Sequence, residues 1–128
     1  MSHQILLVDD SRVRQHMIRH ILKKNGYTVT VAGDGTEALP ILQSEPIDLL
    51  ISDIEMPEMD GFALVEAVRD DAVLSELPVI MVTATGEETN YDRATELGVK
   101  GFLTVPFNSA DFIGMVAELL EAKSSPPH

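Results

Sequence analysis

Residues 5–10 read Ile-Leu-Leu-Val-Asp-Asp, an apolar run that ends directly on two acids. Three later apolar runs also end at or next to an aspartate or a threonine, within residues 49–53, 79–83 and 102–104. A short apolar run that ends on a polar residue is typical of a strand buried on both faces of a parallel sheet. These four runs therefore predict the core strands of such a sheet.

The acids that follow the strands are the first candidate functional residues. Because all strands of a parallel sheet point the same way, their carboxyl ends meet at one edge, where ligands bind in doubly wound sheets. We therefore expect Asp9, Asp10 and Asp53 to lie close together. Carboxylates this close need either a divalent cation or strongly raised pKa values.

Segments with helical spacing lie between the apolar runs. The first covers residues 11–25, and its apolar positions predict one buried face consisting of Val13, Met17, Ile18, Ile21 and Leu22. Residues 28–32 alternate as a further strand, and a helix follows in which Pro40 predicts a late start or a kink. Asn108 and Asp111 resemble a capping box at the start of a last helix that runs through Ala122.

Strand and helix alternate five times in this interpretation, which predicts the α/β class. The expected architecture is a doubly wound, five-stranded parallel sheet with helices on both faces. The length of 128 residues suits one domain, predicted over residues 1–122, with a flexible C-terminal tail over residues 123–128.

Composition and charge exclude several classes of function. The formal net charge of −12 disfavours direct binding to nucleic acid or to an anionic membrane surface. The chain contains no cysteine, so disulfides and thiolate metal sites are impossible. No signal peptide or membrane-length apolar run is recognisable, and we expect a cytoplasmic protein.

The motifs at the strand ends resemble those of the receiver domains of bacterial two-component response regulators, the CheY-like superfamily, over residues 4–122. The matching motifs are Leu-Leu-Val-Asp-Asp-Ser at 6–11, Ser-Asp-Ile-Glu-Met-Pro-Glu-Met-Asp-Gly at 52–61, Val-Thr-Ala at 82–84 and Phe-Leu-Thr-Val-Pro-Phe at 102–107. The resemblance implies a flavodoxin-like (βα)5 fold with strand order 2-1-3-4-5.

The resemblance also implies a chemistry for the acidic edge. Asp53 would accept a phosphoryl group, and Thr83 would donate a hydrogen bond to that group and report the modification. Mg²⁺ would be held by Asp10 and Asp53 directly, by Asp9 through water, and by the backbone carbonyl of Glu55. An all-oxygen ligand set of this kind suits magnesium. Such a domain is a phosphoacceptor with slow autodephosphorylation at most and is not an enzyme.

The partners that the resemblance implies are proteins. A sensor histidine kinase or a phosphotransfer protein would donate the phosphoryl group, and a downstream protein would bind the face formed by helix 4, strand 5 and helix 5. Phe102 occupies the position of the family's switch aromatic. Glu55 and Thr85 occupy positions that influence dephosphorylation.

One departure from the family pattern concerns the cation of the site. The family has a lysine before the proline that follows strand 5, whereas this chain has Val105 before Pro106. The Val105-Pro106 peptide bond is expected to be cis, as in the family. Lys100 is too far along the strand to substitute, and Arg12 at the start of helix 1 is the predicted compensating cation.

Two other functions remain open at this stage. Val105 is compatible with a divergent receiver that acts as a phosphorylation-independent protein-interaction module. A phosphate-ester hydrolase is the other alternative, but no residue resembles a general acid for a leaving group. His16 and His20, four residues apart on helix 1, could chelate a metal but are predicted to be ordinary surface residues.

Overall fold

The structure is a computed structural model that describes residues 3–84 and 88–124. Strand and helix alternate along the described chain, as predicted. The elements are β1 (Gln4–Val8), α1 (Arg12–Lys24), β2 (Thr28–Ala32), α2 (Gly35–Ser44), β3 (Leu49–Ser52), α3 (Gly61–Asp70), β4 (Val79–Thr83), α4 (Glu88–Glu96), β5 (Gly101–Thr104) and α5 (Ser109–Ser124).

The five strands form one sheet in the order β2-β1-β3-β4-β5. Every neighbouring pair is parallel, so the predicted fold class and strand order are both confirmed. The register pairs Val8 with Ala32 on one side and with Ser52 on the other. Asp9 and Asp53, which directly follow β1 and β3 in the chain, therefore lie side by side.

Each face of the sheet is covered by its own apolar cluster, because successive side chains of a strand point to opposite faces. In β1, Leu6 and Val8 belong to the cluster that includes the buried residues of α2 and α3. Ile5 and Leu7 belong to the other cluster, which includes Ile18 and Leu22 of α1 and the buried residues of α5. Apart from Ser52 and Thr83 at the carboxyl ends of β3 and β4, the buried strand residues are apolar on both faces, which explains the apolar runs in the sequence.

Polar side chains fix the starts of the helices. The side chains of Ser11, Asp34 and Asp60 each accept a hydrogen bond from a backbone N–H in the first turn of α1, α2 and α3. The Asn108 side chain accepts from the N–H of Asp111 at 3.1 Å, so the predicted cap of the last helix is confirmed.

Two expectations about helix boundaries need correction. α2 begins at Gly35, so Pro40 causes no late start, and the alternative expectation of a kink at Pro40 stays a prediction. Asp34 caps the helix six residues before the proline, and the proline removes one internal N–H donor without preventing the turn that follows. α5 extends to Ser124, two residues into the predicted tail, and residues 125–128 lie outside the described residues.

Within the described residues, no helix combines the length and the apolar character needed to cross a bilayer.

Candidate functional site

Three carboxylates converge at the carboxyl edge of the sheet, as the strand ends predict. Asp9, Asp10 and Asp53 each offer one oxygen atom within a group whose members all lie within 4.8 Å of one another. The backbone fixes two of them, because the N–H of Asp53 donates to the carbonyl of Val8 at 2.9 Å and that of Asp9 to the carbonyl of Ala32 at 3.1 Å. Asp9 and Asp53 are 1% and 3% exposed, whereas Asp10 lies at the surface.

The Asp53 carboxylate is held on both of its oxygens. Oδ1 accepts from the backbone N–H of Ile54 at 2.8 Å, and Oδ2 accepts from the Arg14 guanidinium at 2.8 Å. Burial and the charge of Asp9 nevertheless raise the pKa of Asp53 to about 6, and Arg14 and the Ile54 N–H only partly offset them. Among the described residues, the positive charge of Arg14 therefore does not fully offset the burial of Asp53 and the charge of Asp9.

Arg14 is the basic residue that the structure places among these carboxylates. Its Nε donates to Oδ2 of Asp9 at 3.0 Å, and its Nη2 donates to Oδ1 of Asp9 at 3.2 Å and to Asp53. Nη2 also lies 4.0 Å from Oδ1 of Asp10. One guanidinium thus bridges the end of β1 and the end of β3.

The predicted cation, Arg12, is therefore not the one that contacts the buried acids. Arg12 is exposed and lies with Asp10 on the lining of a surface pocket. Two residues correspond to about 200° of rotation around a helix, so Arg12 and Arg14 lie on different sides of α1. Arg14 precedes Ile18 by one helical turn, and Ile18 is fully buried, so the spacing of the core residues was the signal that could have identified Arg14.

The same rotation corrects the predicted buried face of α1. Val13 is 80% exposed and Met17 is 37% exposed. The buried residues of the helix are Ile18 and Leu22, with Ile21 packed partly against them. His16 and His20 are exposed, as predicted.

Backbone and amide donors around Asp9 complete its environment. The N–H of Ser11 donates to Oδ1 of Asp9 at 2.8 Å, and the Gln15 side-chain amide donates to the carbonyl of Asp9. These contacts tie the first turn of α1 to the end of β1 and fix the position from which Arg14 reaches the site.

The β3–α3 loop is folded tightly against Asp53. The N–H of Gly61 donates to the carbonyl of Ile54 at 2.8 Å, and a Cβ atom at Gly61 would lie 2.2 Å from the carbonyl oxygen of Asp53. Only glycine permits this approach. Glu55 lies in this loop with its side chain exposed, and the metal-binding role of its carbonyl stays a prediction.

Thr83 and Val105 occupy the β4 and β5 side of the same edge. Thr83 is buried at the end of β4, and its carbonyl accepts from the N–H of Val105 at 2.8 Å. The Val105-Pro106 bond is cis, as expected. The Val105 side chain packs against the apolar cluster that lies between the sheet and α1 with α5, so it brings no charge to the site.

Phe102 is half-buried on β5 and meets the ring of Tyr91 of α4 edge to face, with 5.7 Å between the ring centroids. Tyr91 is mostly exposed, so this pair links the interior of the β5 region to the surface of α4. The role of Phe102 as a switch stays a prediction, and Thr85 lies outside the described residues.

Comparison with known proteins identifies the family. The family model for the response regulator receiver domain matches residues 5–117, nearly the whole described chain. The chain belongs to the response regulator receiver family. The receiver is 42% identical to the chemotaxis protein CheY of Pseudomonas aeruginosa over 107 residues, which are 83% of this chain and 86% of that protein.

Other similar proteins are longer than this receiver. It is 36% identical to the transcriptional regulatory protein CpxR of Escherichia coli over 118 residues, which are 92% of this chain but 49% of that protein. For the rice response regulator ORR7 the identity is 33%, and the match covers 91% of this chain and 56% of that protein. The chain thus spans about half the length of these two relatives.

Solved structures show the same fold. The Vibrio cholerae chemotaxis protein CheY4 superposes with a TM-score of 0.87 at 34% identity, covering 93% of this chain and 99% of that one. The receiver domain of a histidine kinase from Syntrophus aciditrophicus gives a TM-score of 0.90 at 32% identity, covering 98% of this chain and 96% of that one. The receiver is thus a signalling module of the two-component type.

The residues of the site fit a magnesium ion. The acidic cluster offers only oxygen ligands, two of them from buried carboxylates, and its three carboxylates share one guanidinium among the described residues. The receiver fold and its acidic cluster are therefore compatible with Mg²⁺.

Proposed function

We propose that this receiver accepts a phosphoryl group on Asp53 from a phosphohistidine of a sensor histidine kinase or a phosphotransfer protein. The observation that carries the proposal is the environment of Asp53, a buried carboxylate next to two others at the carboxyl edge of the sheet. Such a group is held in one orientation by Ile54 and Arg14, which is what an in-line displacement requires of a nucleophile.

The transfer exchanges one bond for another. A carboxylate oxygen of Asp53 attacks the phosphorus, so that a P–O bond forms and the P–N bond to the donor imidazole breaks. The electron pair of the broken bond goes to the imidazole nitrogen, which takes a proton from solvent. The products are an acyl phosphate on Asp53 and a neutral histidine on the donor.

The residues of this chain have distinct roles in that step. Mg²⁺ would be held directly by Asp10, Asp53 and the backbone carbonyl of Glu55, and through water by Asp9. When bound, it neutralises charge on the phosphoryl oxygens. The Ile54 N–H keeps the Asp53 carboxylate in place. Thr83, buried at the end of β4, would donate its hydroxyl to a phosphoryl oxygen.

The output of the switch would be a change at the face formed by α4, β5 and α5, which binds a downstream protein. The contact between Phe102 and the exposed Tyr91 supports this route, because a change in the position of the Phe102 ring alters the support of a surface residue. The protein would act through protein contacts in the cytoplasm, without direct binding to nucleic acid or membrane.

A second function is favoured by one observation, the aliphatic Val105 where the family has lysine. Without that lysine the coupling of Asp53 to the surface can be lost while the surface itself persists. The protein would then be a phosphorylation-independent interaction module.

Incubation with acetyl phosphate and Mg²⁺, followed by intact mass measurement, tests the proposed chemistry without knowledge of the natural donor. We expect one phosphoryl group on the wild type and on Asp70→Asn, a matched change of an exposed carboxylate. The Asp53→Asn variant and samples with a chelator should gain none. Equal uptake by Asp53→Asn would show that the phosphoryl group goes elsewhere.

Beryllofluoride, which mimics the phosphoryl group, separates the two functions in NMR spectra. Chemical shift changes that reach Phe102 and Tyr91 support the phosphorylation switch. Changes confined to the residues around Asp53 support the interaction module.

A further inference from the structure

Arg14 is the feature of this site that the family pattern does not explain. The family's cation would come from the residue before Pro106 on the β5 side, and that residue is Val105. Among the residues that the structure describes, Arg14 is the only lysine or arginine in an ion pair with the site carboxylates. Its guanidinium enters from α1, on the other side of Asp53 from β4 and β5.

We propose that Arg14 is the phosphoryl-binding cation of this receiver, in place of the missing lysine. At rest it pairs with Asp9 and Asp53, and after transfer it binds an oxygen of the phosphoryl group on Asp53. This inference rests on the proposed phosphoryl transfer and assigns to it a residue that the family pattern does not.

The geometry of the guanidinium supports this role. Nη2 lies 2.8 Å from Oδ2 of Asp53, so a phosphoryl group on this carboxylate would have its oxygens within reach of the guanidinium. Arginine presents five N–H donors in a planar fork that matches phosphate oxygens. Among the described residues Nη1 donates no hydrogen bond, and the side chain is 22% exposed, so donors remain for a new partner.

The charge of the site gives Arg14 two competing attractions. The carboxylates of Asp9, Asp10 and Asp53 carry three negative charges when ionised, and Arg14 supplies one positive charge. A magnesium ion that uses Oδ2 of Asp53 has to share it with Nη2 or displace it. Arg14 should therefore weaken metal binding at rest, while its charge favours the phosphoryl group after transfer.

Val105 has no charge and cannot bind the phosphoryl group. Its position after β5 is nevertheless the one from which a lysine would reach that group. The Val105 backbone is bonded to the end of β4, next to the buried Thr83. The substitution Val105→Lys would place a lysine where the family has its phosphoryl-binding lysine. Val105→Lys in an Arg14→Met background is therefore the specific rescue.

The experiment compares Arg14→Met with Arg14→Lys, which keeps the charge, and with Arg19→Met, which removes an exposed arginine from the same helix. Calorimetric titration with Mg²⁺ gives metal affinity, and intact mass after acetyl phosphate at saturating Mg²⁺ gives the rate of phosphoryl uptake. Circular dichroism checks that each variant is folded. If Arg14→Met does not fold, Arg14→Lys and the double variant, Arg14→Met with Val105→Lys, still test the proposal.

We expect Arg14→Met to bind Mg²⁺ several-fold more tightly and to take up phosphoryl roughly tenfold more slowly, the effect of losing one charge-assisted hydrogen bond. Arg14→Lys should lose less of the uptake rate, Arg19→Met should match the wild type in both measurements, and Val105→Lys should restore uptake in the Arg14→Met background.

Three results would overturn the proposal. They are unchanged uptake by folded Arg14→Met, a comparable loss in Arg12→Met, and a failure of Val105→Lys to restore uptake. If the wild type itself takes up no phosphoryl group on Asp53, the proposed function fails first, and this inference fails with it. Normal wild-type uptake with an unaffected Arg14→Met variant removes this inference alone.

Discussion

Two half-buried arginines lie at opposite edges of the sheet and have opposite surroundings. Arg14, at the carboxyl edge, pairs with the carboxylates of Asp9 and Asp53. Arg69, at the amino edge, donates to four backbone carbonyls, at 2.7 to 3.1 Å, in the loops that precede β4 and β5; these belong to Ser75, Leu77, Leu97 and Gly98. Arg14 donates to charged carboxylates, whereas Arg69 donates its hydrogen bonds to neutral backbone carbonyls.

The pKa values of the two residues reflect this difference. Burial lowers the pKa of Arg14, but its hydrogen bond to Asp9 and the charges of Asp53, Asp9 and Asp10 outweigh burial and raise it. Burial lowers the pKa of Arg69, and the charge of Glu76 offsets this only in part. At the amino edge, Arg69 thus holds two loops together. At the carboxyl edge, Arg14 offsets the negative charge of the site carboxylates, which a bound cation can also offset.

Replacement of Arg69 by methionine should give the largest loss of stability. The carbonyls of Leu77 and Leu97, which now accept at 2.7 and 2.8 Å, would lose their charged donor. Each buried acceptor left without a partner costs about 1–3 kcal/mol, so we expect the free energy of unfolding in urea to fall by about 4 kcal/mol.

The matched control for Arg69→Met is Arg19→Met, an exposed arginine whose replacement should change stability by less than about 0.5 kcal/mol. Mg²⁺ affinity should be unchanged in both variants. A folded Arg69→Met protein with wild-type stability but weakened Mg²⁺ binding would contradict the division of roles between the two edges.

The second prediction concerns the pH dependence of the carboxyl edge in metal-free protein. The pKa of Asp53 is about 6 in the native state and 3.8 ordinarily, so the native state binds more protons than the unfolded state between these pH values. The contribution of Asp53 to the free energy of unfolding should therefore fall as pH rises from 4 to 6. Asn at position 53 does not titrate and should lack this decline.

Asp53→Asn should then be more stable than the wild type at pH 8, by up to about 3 kcal/mol if the whole pKa difference is realised. The difference should almost vanish at pH 4, and urea unfolding in a chelating buffer at several pH values measures it. Asp70→Asn serves as the control with no such pH dependence. If Asp53→Asn is less stable than the wild type at pH 8, then the ion pair with Arg14 fully offsets the cost of the ionised Asp53 carboxylate.

The fold could be predicted from the sequence because its decisive signals are local. Residues 5–8 of β1 are buried on both faces, so every residue in this run must be apolar, and the position of Asp9 immediately after the run locates it at the carboxyl edge. The parallel arrangement then brings Asp53 beside it. These inferences need only the strand direction, and the structure confirms the convergence.

The identity of the cation could not be predicted in the same way. Arg12 and Arg14 are two residues apart, so the choice between them depends on how α1 is rotated about its axis. That rotation is set by the Ser11 cap and by Ile18 in the core, whereas the sequence interpretation also counted Val13 and Met17 as buried. An amphipathic helix with apolar residues on several sides leaves its rotation undetermined until it is packed.

A third arginine gives the smallest expected effect and sets the baseline for the other two. Arg93 pairs with Glu66 at 3.1 Å, and both side chains are 51% exposed. Surface pairs of this kind contribute about 0.2–1 kcal/mol, so Glu66→Gln, which removes the charge and keeps the shape, should lower the free energy of unfolding by less than about 0.5 kcal/mol. Urea unfolding at low and high salt measures the change, which should disappear at high salt.

Arg93→Met is the companion variant, because Arg93 also lies over the Phe62 ring, 4.5 Å from its centroid. Loss of this contact adds about 0.5–1 kcal/mol, so Arg93→Met should cost more than Glu66→Gln and still much less than Arg69→Met. The three arginines would then be ranked by what their donors meet and by how far water is excluded from them. A cost for Glu66→Gln close to that of Arg69→Met would break this ranking, since an exposed pair would then matter as much as a set of hydrogen bonds to loop carbonyls.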